Sequence, residues 1–163
     1  MILLLSMLLD QFDIAILREL QLDGRISNRD LAERVGLSPA PCWRRLRALE
    51  QQDIISRYAT LLNPDKLGLS IVAFAHVSLE NHHPGTISEF DEAIQNAEEV
   101  LECYMTSGEY DYMLKVVATD MSAYENFLSS VLMQISAVRN VSTSFAMSHK
   151  KLTTALPLKI NKN

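Results

Sequence analysis

The amino-acid sequence predicts an α+β protein with two parts, a short all-helical part followed by a part with the order βαββαβ. Up to about residue 50 apolar residues recur at the helical period, whereas after about residue 70 several segments alternate like strands. The turn signal Asn63-Pro64-Asp65 separates the two patterns. We therefore predict a first domain over residues 1–62, which ends in an extended connector, and a second domain over residues 63–163.

The first two helices carry capping residues where helices begin. Asp10 is the predicted N-cap of the first helix, and Asp13 lies three positions later. An apolar stripe at the helical period continues from there until the turn at Gly24. The stripe consists of Phe12, Ile14, Ile16, Leu17 and Leu20. Ser27 and Asp30 form a capping-box pattern for a short second helix, which ends at Gly36 because glycine adopts the left-handed conformation easily.

The third helix has prolines in its first turn and arginines after them. Ser38 is its predicted N-cap, and Pro39 and Pro41 fall within the first turn, where no intrahelical N–H is lost. At about 100° per residue, the side predicted to face the other helices carries Cys42, Leu46 and Leu49. The opposite side carries Ala40, Arg44 and Arg47. The helix tip is therefore predicted to be stiff and narrow, with arginine exposed beside it.

The spacing of small and apolar residues is typical of a helix-turn-helix. Ala32 is small where two helices approach, Gly36 lies in the turn, and Cys42 is an apolar anchor in the following helix. Residues 1–63 hold eight Arg and eight Asp or Glu, so the net charge of -5 comes from the rest of the chain. Because local charge governs phosphate contacts, a nucleic-acid site in the first domain is electrostatically permitted.

The third helix supplies the candidate residues for binding double-stranded DNA. The predicted DNA-binding set is Ser38, Ala40, Pro41, Trp43, Arg44, Arg45 and Arg47. Arg44 and Arg47 are predicted to reach base edges and Arg45 to hold a phosphate, while Ser38 caps the helix and reaches a phosphate. Trp43 either contacts DNA or packs against the connector. The alternative for the whole set is a solvated helix face that only keeps the domain soluble.

The second domain is predicted to contain four strands and two helices. Strands are predicted in the segments IVAFAHVSLE, VLECYMTSG, YMLKVVA and VRNVSTSFAMSHKK. Helices are predicted in TISEFDEAIQNAEE and SAYENFLSSVLM. A tight link at Gly108-Glu109-Tyr110 joins the second and third strands. The resulting order is that of a ferredoxin-like fold.

No pattern of metal ligands or catalytic groups stands out. Cys42 and Cys103 fit neither a disulfide framework nor a paired metal site, which favours a reducing cytoplasm. His82 and His83 are adjacent and tend to diverge, so a solvated loop is preferred to a metal site. No nucleophile, base and orienting group occur together, and we predict that the protein is not an enzyme.

The opening segment MILLLSMLL is apolar but short. It lacks a basic n-region and a small-residue cleavage site, and it is too short to span a membrane, so we predict neither export nor a membrane anchor. Because Met7 begins the segment that leads into the first helix, translation from Met7 is the alternative to translation from Met1.

Two long stretches resemble the leucine-responsive regulator/AsnC (Lrp/AsnC) family of bacterial and archaeal transcription factors. The first is LDQFDIAILRELQLDGRISNRDLAERVGLSPAPCWRRLRALEQQDII, and the second is CYMTSGEYDYMLKVVATDMSAY. They occur in the family's order and spacing and cover nearly the whole chain. A helix-turn-helix or a ferredoxin-like fold alone is weaker evidence, since such folds host many functions.

The resemblance implies how the protein works and with what. It implies a DNA-binding regulator that responds to a free amino acid, with no other cofactor. It also implies a homodimer built through the sheets of the second domain, assembled further into a ring of four dimers. Sirohaem decarboxylases are similar in architecture, so such an enzyme is the alternative function, although the arginine-rich third helix argues against it. An effector-binding assembly partner without operator preference is a third possibility.

With the resemblance in place, the segment TSGEYDY becomes a candidate effector site. The predicted set is Tyr104, Thr106, Gly108, Glu109, Tyr110, Asp111, Thr143 and Ser144. Turn N–H groups can hold a carboxylate and Asp111 can accept hydrogen bonds from an ammonium group, whereas the alternative is an ordinary hairpin turn. The neighbouring Met105, Met113 and Phe145 are apolar, which favours leucine or methionine over asparagine.

Overall fold

The structure, a computed structural model, describes residues 9–159 and divides into two compact units. The helical unit contains residues 9–61 together with residues 151–159, and the sheet unit contains residues 62–150. Each unit has its own hydrophobic core. The stretch before Leu9, with the alternative start at Met7, lies outside the described residues.

The helical unit contains α1 (Gln11–Leu22), α2 (Asn28–Arg34) and α3 (Pro39–Gln51). Asp10 caps α1 by accepting from the N–H groups of Phe12 and Asp13 at 2.8 and 2.9 Å, and the Asp13 carboxylate accepts from the Asp10 N–H in return. Ser27 accepts from the Asp30 N–H at the start of α2. Both predicted helix starts are therefore confirmed, and both caps satisfy donors that helices leave unpaired.

The turn between α2 and α3 depends on a glycine in the left-handed conformation. Gly36 has φ of 70°, and the following N–H of Leu37 donates to the carbonyl of Ala32 at 2.8 Å, which closes the end of α2. The three helices enclose a small core made of Ile16, Leu17, Leu31, Ala32, Val35, Cys42 and Leu49. The predicted helix-turn-helix, with Ala32, Gly36 and Cys42 in these roles, is confirmed.

One cap differs from its prediction. Ser38 occupies the N-cap position of α3, but its side chain makes no capping hydrogen bond. A capping side chain accepts from the second or third helical N–H, and Pro41 in the third position has none to give. Ala40 in the second position keeps its N–H, but the Ser38 side chain does not use it, and Ser38 is exposed at the helix tip.

The C-terminal segment belongs to a different unit from the one predicted from the sequence. Residues 151–159 belong to the helical unit, although they were assigned to the second domain. Arg18 of α1 donates to the Leu158 carbonyl at 2.9 Å, and Gln21 exchanges two hydrogen bonds with the backbone of Leu156. The side chain of Leu158 packs against the helical core. The segment has no periodic pattern, so its packing is invisible in the sequence.

The sheet unit contains four strands and two helices in the predicted order. The strands are β1 (Ile71–Leu79), β2 (Val100–Met105), β3 (Tyr112–Ala118) and β4 (Val138–Phe145), and the helices are α4 (Pro84–Gln95) and α5 (Met121–Ser130). The sheet order is β2-β3-β1-β4, and every neighbouring pair is antiparallel. This topology confirms the ferredoxin-like βαββαβ fold.

The two faces of the sheet differ in what covers them. One face packs against α4 and α5, where Phe90, Ile94, Tyr124 and Phe127 meet alternate residues of the strands such as Leu114. The opposite face carries Glu102, Tyr104, Met113, Lys115, Ser142 and Ser144 in register across the strands. Within the described chain no helix lies on this second face, which we name the open face.

Two strands are shorter than the sequence predicts. β2 ends at Met105, so residues 106–111 form a six-residue loop between β2 and β3 in place of a tight link. The Thr106 N–H donates to the Asp111 carbonyl at 2.8 Å in the register of the β2–β3 pairing, and the Thr106 hydroxyl donates to the Tyr110 carbonyl, so hydrogen bonds close the loop at its base. β4 ends at Phe145, before the end predicted for the last strand.

Candidate functional site

The outward side of α3 presents arginine and tryptophan side chains. Arg44 is exposed and, in contrast to the two arginines nearest to it, forms no ion pair with another described residue. Arg47 is 57% exposed, forms an ion pair with Glu50 at 2.9 Å, and holds its guanidinium 5.6 Å from the centroid of the Trp43 ring. Trp43 is itself 53% exposed. The predicted inward and outward sides of α3 are confirmed, since Cys42 and Leu49 are buried and Leu46 is half-buried.

Arg45 differs from the other arginines of α3 because carboxylates of α1 already hold it. Its guanidinium lies 2.7 Å from Asp10 and 2.8 Å from Asp13, and 5.4 Å from the centroid of the Phe12 ring. Burial raises the pKa of Asp10, but the hydrogen bonds from the Asp13 N–H and from Arg45 lower it by more than burial raises it. The pKa of Asp10 therefore lies below its usual value. The phosphate contact of Arg45 stays a prediction, and the structure adds a contact between helices.

The tip of α3 is exposed and is attached to α2. Ser38 and Ala40 are exposed and Pro41 is half-buried. The side-chain amide of Asn28, the first residue of α2, donates to the Pro39 carbonyl at 3.0 Å. This hydrogen bond fixes the tip relative to the helix before it, as a groove-binding helix needs.

A shallow cavity follows the outward side of α3. Its lining consists of Trp43, Arg44, Arg47, Ala48, Glu50 and Gln51. Tyr58 of the connector reaches the same place, where its hydroxyl donates to the Glu50 carboxylate at 2.9 Å. Burial, followed by the Glu50 carboxylate, raises the pKa of Tyr58 to about 12. Neither Glu50 nor Tyr58 was predicted as part of this surface, because no sequence motif links two residues at this spacing.

At the other candidate site, both carboxylate oxygens of Asp111 have partners. The Leu79 N–H donates to Oδ2 at 2.8 Å, and Nε2 of His82 lies 2.7 Å from Oδ1. The Leu79 N–H, followed by the contact with His82, lowers the pKa of Asp111 below its usual value. Sequence reasoning treated His82 as part of a solvated loop and did not connect it with a carboxylate 29 residues away.

The other predicted residues of the loop either have partners of their own or are exposed. The Thr106 hydroxyl donates a hydrogen bond to the Tyr110 carbonyl. The Tyr110 ring packs against the ring of His76 with centroids 5.3 Å apart. Gly108 and Glu109 are exposed at the end of the loop. The loop thus offers one carboxylate that already holds an imidazole, beside exposed backbone.

Three predicted effector residues lie outside this loop, on the two edge strands of the sheet. Tyr104 is on β2 and Thr143 and Ser144 are on β4, so β3 and β1 separate them by about 14 Å at ordinary strand spacing. The Thr143 hydroxyl pairs with Tyr124 of α5 at 2.6 Å on the helix side of the sheet, whereas Ser144 is on the open face. One chain therefore does not bring the predicted effector set together.

Residues 9–159 contain neither a cluster of metal ligands nor a helix that could cross a membrane. No group of three or more His, Cys, Asp or Glu side chains in that range is arranged to hold a metal ion. None of the helices there has the length and apolarity that crossing a membrane requires.

The fold and the two candidate sites define a helix-turn-helix transcription regulator with a separate ligand-binding domain. A family model for a winged helix-turn-helix DNA-binding domain matches residues 9–56. The model of the Lrp/AsnC ligand binding domain matches residues 72–156. The chain belongs to the Lrp/AsnC family of transcriptional regulators, as its resemblance to that family predicts.

Individual relatives support the same assignment. The chain is 43% identical over 151 residues to the leucine-responsive regulatory protein of Escherichia coli (strain K12), which covers 93% of this chain and 92% of that protein. A transcriptional regulator of Neisseria meningitidis, solved in complex with L-methionine, superimposes with a TM-score of 0.89 at 40% identity, covering 91% of this chain and 96% of that one. The feast or famine regulatory protein of M. tuberculosis, also solved with L-methionine, gives a TM-score of 0.79 at 27% identity, covering 91% and 98%.

Proposed function

We propose that this regulator binds operator DNA through α3 and that methionine or leucine controls this binding through the sheet unit. The observation that carries the proposal is the exposed Arg44, which forms no ion pair within residues 9–159, beside the exposed tip of a helix-turn-helix recognition helix. Because a single small unit makes few phosphate contacts, two such helices bind neighbouring grooves in a dimer. Dimerisation is then part of DNA binding.

The exposed side chains of α3 make different contacts with DNA in this proposal. Arg44 reaches a base edge directly, since it has no competing ion pair among the described residues. Arg47 reaches the groove while its guanidinium stays against the Trp43 ring. To do so it gives up its ion pair with Glu50 and forms a contact with DNA instead. Ser38, Ala40 and Pro41 form the tip that approaches the backbone, and the unused Ser38 hydroxyl donates to a phosphate.

The effector binds at the loop 106–111, where Asp111 accepts hydrogen bonds from its ammonium group. Exposed backbone around Gly108 holds its carboxylate, and Tyr104 on the one hand and Thr143 and Ser144 on the other join the site from different subunits, since one chain keeps these two groups apart. The two L-methionine complexes of related regulators support an apolar amino acid over asparagine. No other cofactor takes part.

Assembly proceeds through the sheet unit. The open face and its edges expose large apolar side chains, among them Tyr104 at 50% and Met105 at 71%, which a second copy covers. We propose a homodimer built through these sheets and a ring of four dimers around it. The protein acts in the cytoplasm as a regulator and catalyses no reaction.

The test combines DNA binding with particle mass. Genomic fragments retained by the purified protein are first identified, and their affinity is then measured by fluorescence anisotropy with and without L-methionine and L-leucine. We expect nanomolar-range operator binding that changes when either amino acid is added, together with a change in particle mass by light scattering.

Two variants make this test specific. Arg44→Ala should reduce binding to the retained fragments, whereas Lys150→Ala, which removes the same charge from an exposed position of the sheet unit, should not. A protein that retains no fragment at low salt contradicts the DNA-binding part. Affinity that is identical with and without all twenty amino acids contradicts the effector part.

A further inference from the structure

The Arg47 side chain on the outward side of α3 is held by a carboxylate and an aromatic ring. Its Nη1 atom lies 2.9 Å from Oε2 of Glu50, about one turn further along α3, and its guanidinium lies 5.6 Å from the centroid of the Trp43 ring. The other oxygen of the same carboxylate, Oε1, accepts a hydrogen bond from the Tyr58 hydroxyl at 2.9 Å. Tyr58 lies in the connector after α3, so one carboxylate joins the connector to a DNA-binding candidate.

We propose that Glu50 limits the contribution of Arg47 to DNA binding and that Tyr58 keeps Glu50 in the position from which it does so. The inference rests on the DNA-binding function proposed above and adds two residues that set the affinity and its salt dependence. A carboxylate 2.9 Å from a guanidinium offsets part of the positive charge that a phosphate meets.

The limit comes from charge and not from hydrogen-bonding capacity. The bond to Glu50 uses Nη1 of Arg47, and a guanidinium has further N–H groups that can reach DNA. If Arg47 keeps the ion pair in the complex, its charge is partly offset, and if it leaves Glu50, the energy of the ion pair is lost. Glu50 weakens DNA binding in both cases. Because Arg47 is 57% exposed, this effect on affinity is modest, about twofold to fivefold.

The same limit applies to every DNA sequence. Attraction between arginine and phosphate charge is independent of sequence, whereas hydrogen bonds to base edges read the sequence. The base contact that we propose belongs to Arg44, which forms no ion pair within the described chain. Glu50 should therefore weaken the binding of operator and scrambled DNA by a similar factor and leave the sequence preference unchanged.

The experiment measures the affinity of the full-length protein for a retained genomic fragment and for scrambled DNA by fluorescence anisotropy at several salt concentrations. Glu50→Gln removes the charge but keeps an oxygen that can accept from Tyr58. We expect this variant to bind both DNAs about twofold to fivefold more tightly, with a salt dependence steeper by up to about one phosphate contact. A gain in affinity separates this role from a structural one, since loss of folded protein only weakens binding.

Tyr58→Phe tests the part played by the connector. It removes the hydroxyl that holds Glu50, so the carboxylate spends less time beside Arg47. We expect both DNAs to bind more tightly by up to about twofold, in the same direction as for Glu50→Gln. Weaker binding by Tyr58→Phe would overturn the role of the connector.

The helical unit offers a matched control in a second ion pair. Glu19 of α1 pairs with Arg34 of α2 at 3.0 Å, and the two side chains are 27% and 51% exposed, close to the 25% and 57% of Glu50 and Arg47. Glu19→Gln makes the same change in net charge away from α3 and should bind DNA like the parent. In an Arg47→Ala background Glu50→Gln should give no gain, because Glu50 acts through Arg47.

The outcomes separate this inference from the proposed function. If Glu50→Gln binds no more tightly than the parent, or gains as much in the Arg47→Ala background, Glu50 does not act through Arg47 and the inference is overturned. An equal gain from Glu19→Gln overturns it as well, since net charge alone then explains the result. If Arg47→Ala binds like the parent while Arg44→Ala does not, the inference is wrong and the DNA-binding function stands. A parent that retains no fragment at low salt contradicts both.

Discussion

The helical unit and the sheet unit place their functional residues in different ways. In the helical unit the DNA-binding candidates lie on one helix, and a single exposed side of α3 carries Arg44 and Arg47. In the sheet unit the effector candidates come from a loop and from opposite edges of the sheet, and the nearest partner of Asp111 is a histidine from another loop. A site on one helix follows from local spacing, whereas a site across strands depends on which segments the topology brings together.

The two units also differ in the size of the core behind each site. Among the described residues, the core of the helical unit contains seven buried side chains and that of the sheet unit contains sixteen. Stability rises with buried apolar area, so we expect the helical unit to unfold first. This difference makes the DNA-binding function more sensitive to core substitutions than the effector-binding function.

The largest expected effect comes from substitutions in these cores. Ile16→Ala, at a fully buried position of α1, should lower the free energy of unfolding of the helical unit by about 2–5 kcal/mol and abolish DNA binding. Methionine binding should persist, because the sheet unit has a separate core. Calorimetry and circular dichroism melts should show the lower of two transitions moving.

Ile16→Val is the matched control, with an expected loss of about 0.5–1.5 kcal/mol and DNA binding retained. Leu114→Ala, in the fully buried core of the sheet unit, should instead reduce effector binding. Simultaneous loss of both functions in Ile16→Ala would contradict the separation of the two cores.

The second prediction compares two arginines on the same side of α3. Arg44→Ala should cost about 1–3 kcal/mol at the operator and flatten the sequence preference, because Arg44 is the exposed side chain that we propose for a base edge. Arg47→Ala should cost less, since Arg47 must first leave Glu50. Anisotropy titrations on operator and scrambled DNA measure both effects. Operator binding by Arg44→Ala that equals the parent's would remove α3 as the reading helix.

The sequence predicted the elements better than it predicted the contacts between them. The caps at Asp10 and Ser27, the left-handed Gly36 and the βαββαβ order all depend on residues that are close in the chain, and each is confirmed. The missing Ser38 cap was only partly readable, because Pro41 removes one of the two N–H groups that a cap can use and Ala40 keeps the other.

What the sequence did not predict involves partners that are distant in the chain. The contact of His82 with Asp111 spans 29 residues, and that of Arg18 with Leu158 spans 140. No periodicity or motif marks such pairs, because the fold alone brings them together. The roles assigned to the DNA-binding and effector residues stay predictions until they are measured.

A third, smaller effect concerns the C-terminal segment of the helical unit. Leu158→Ala removes a half-buried side chain from the helical core and should lower the free energy of unfolding by about 1 kcal/mol. Leu156→Ala is the control, since that side chain is 70% exposed and its backbone hydrogen bonds with Gln21 are kept. Chemical denaturation compares the two. An equal loss in both variants would show that the leucine side chain is not what attaches the segment.

The smallest effect separates the two roles open to Arg45. Its ion pairs with Asp10 and Asp13 are partly exposed, so Arg45→Ala should lower the free energy of unfolding by at most about 1 kcal/mol at neutral pH. Because the pKa of Asp10 is depressed in the folded state, this contribution is present above about pH 4 and is lost as the pH falls through the folded-state value.

DNA binding then decides whether Arg45 also holds a phosphate. If it does, Arg45→Ala should weaken operator and scrambled DNA alike and reduce the dependence of log affinity on log salt by about one phosphate contact. If Arg45 only joins α1 to α3, the salt dependence should match that of the parent while stability falls. Arg45→Lys keeps the charge but loses the guanidinium geometry, so it should preserve the salt dependence in either case. If the salt dependence of Arg45→Ala matches that of the parent, the helical unit uses neighbouring arginines of one helix for different purposes, Arg44 for DNA and Arg45 for its own fold.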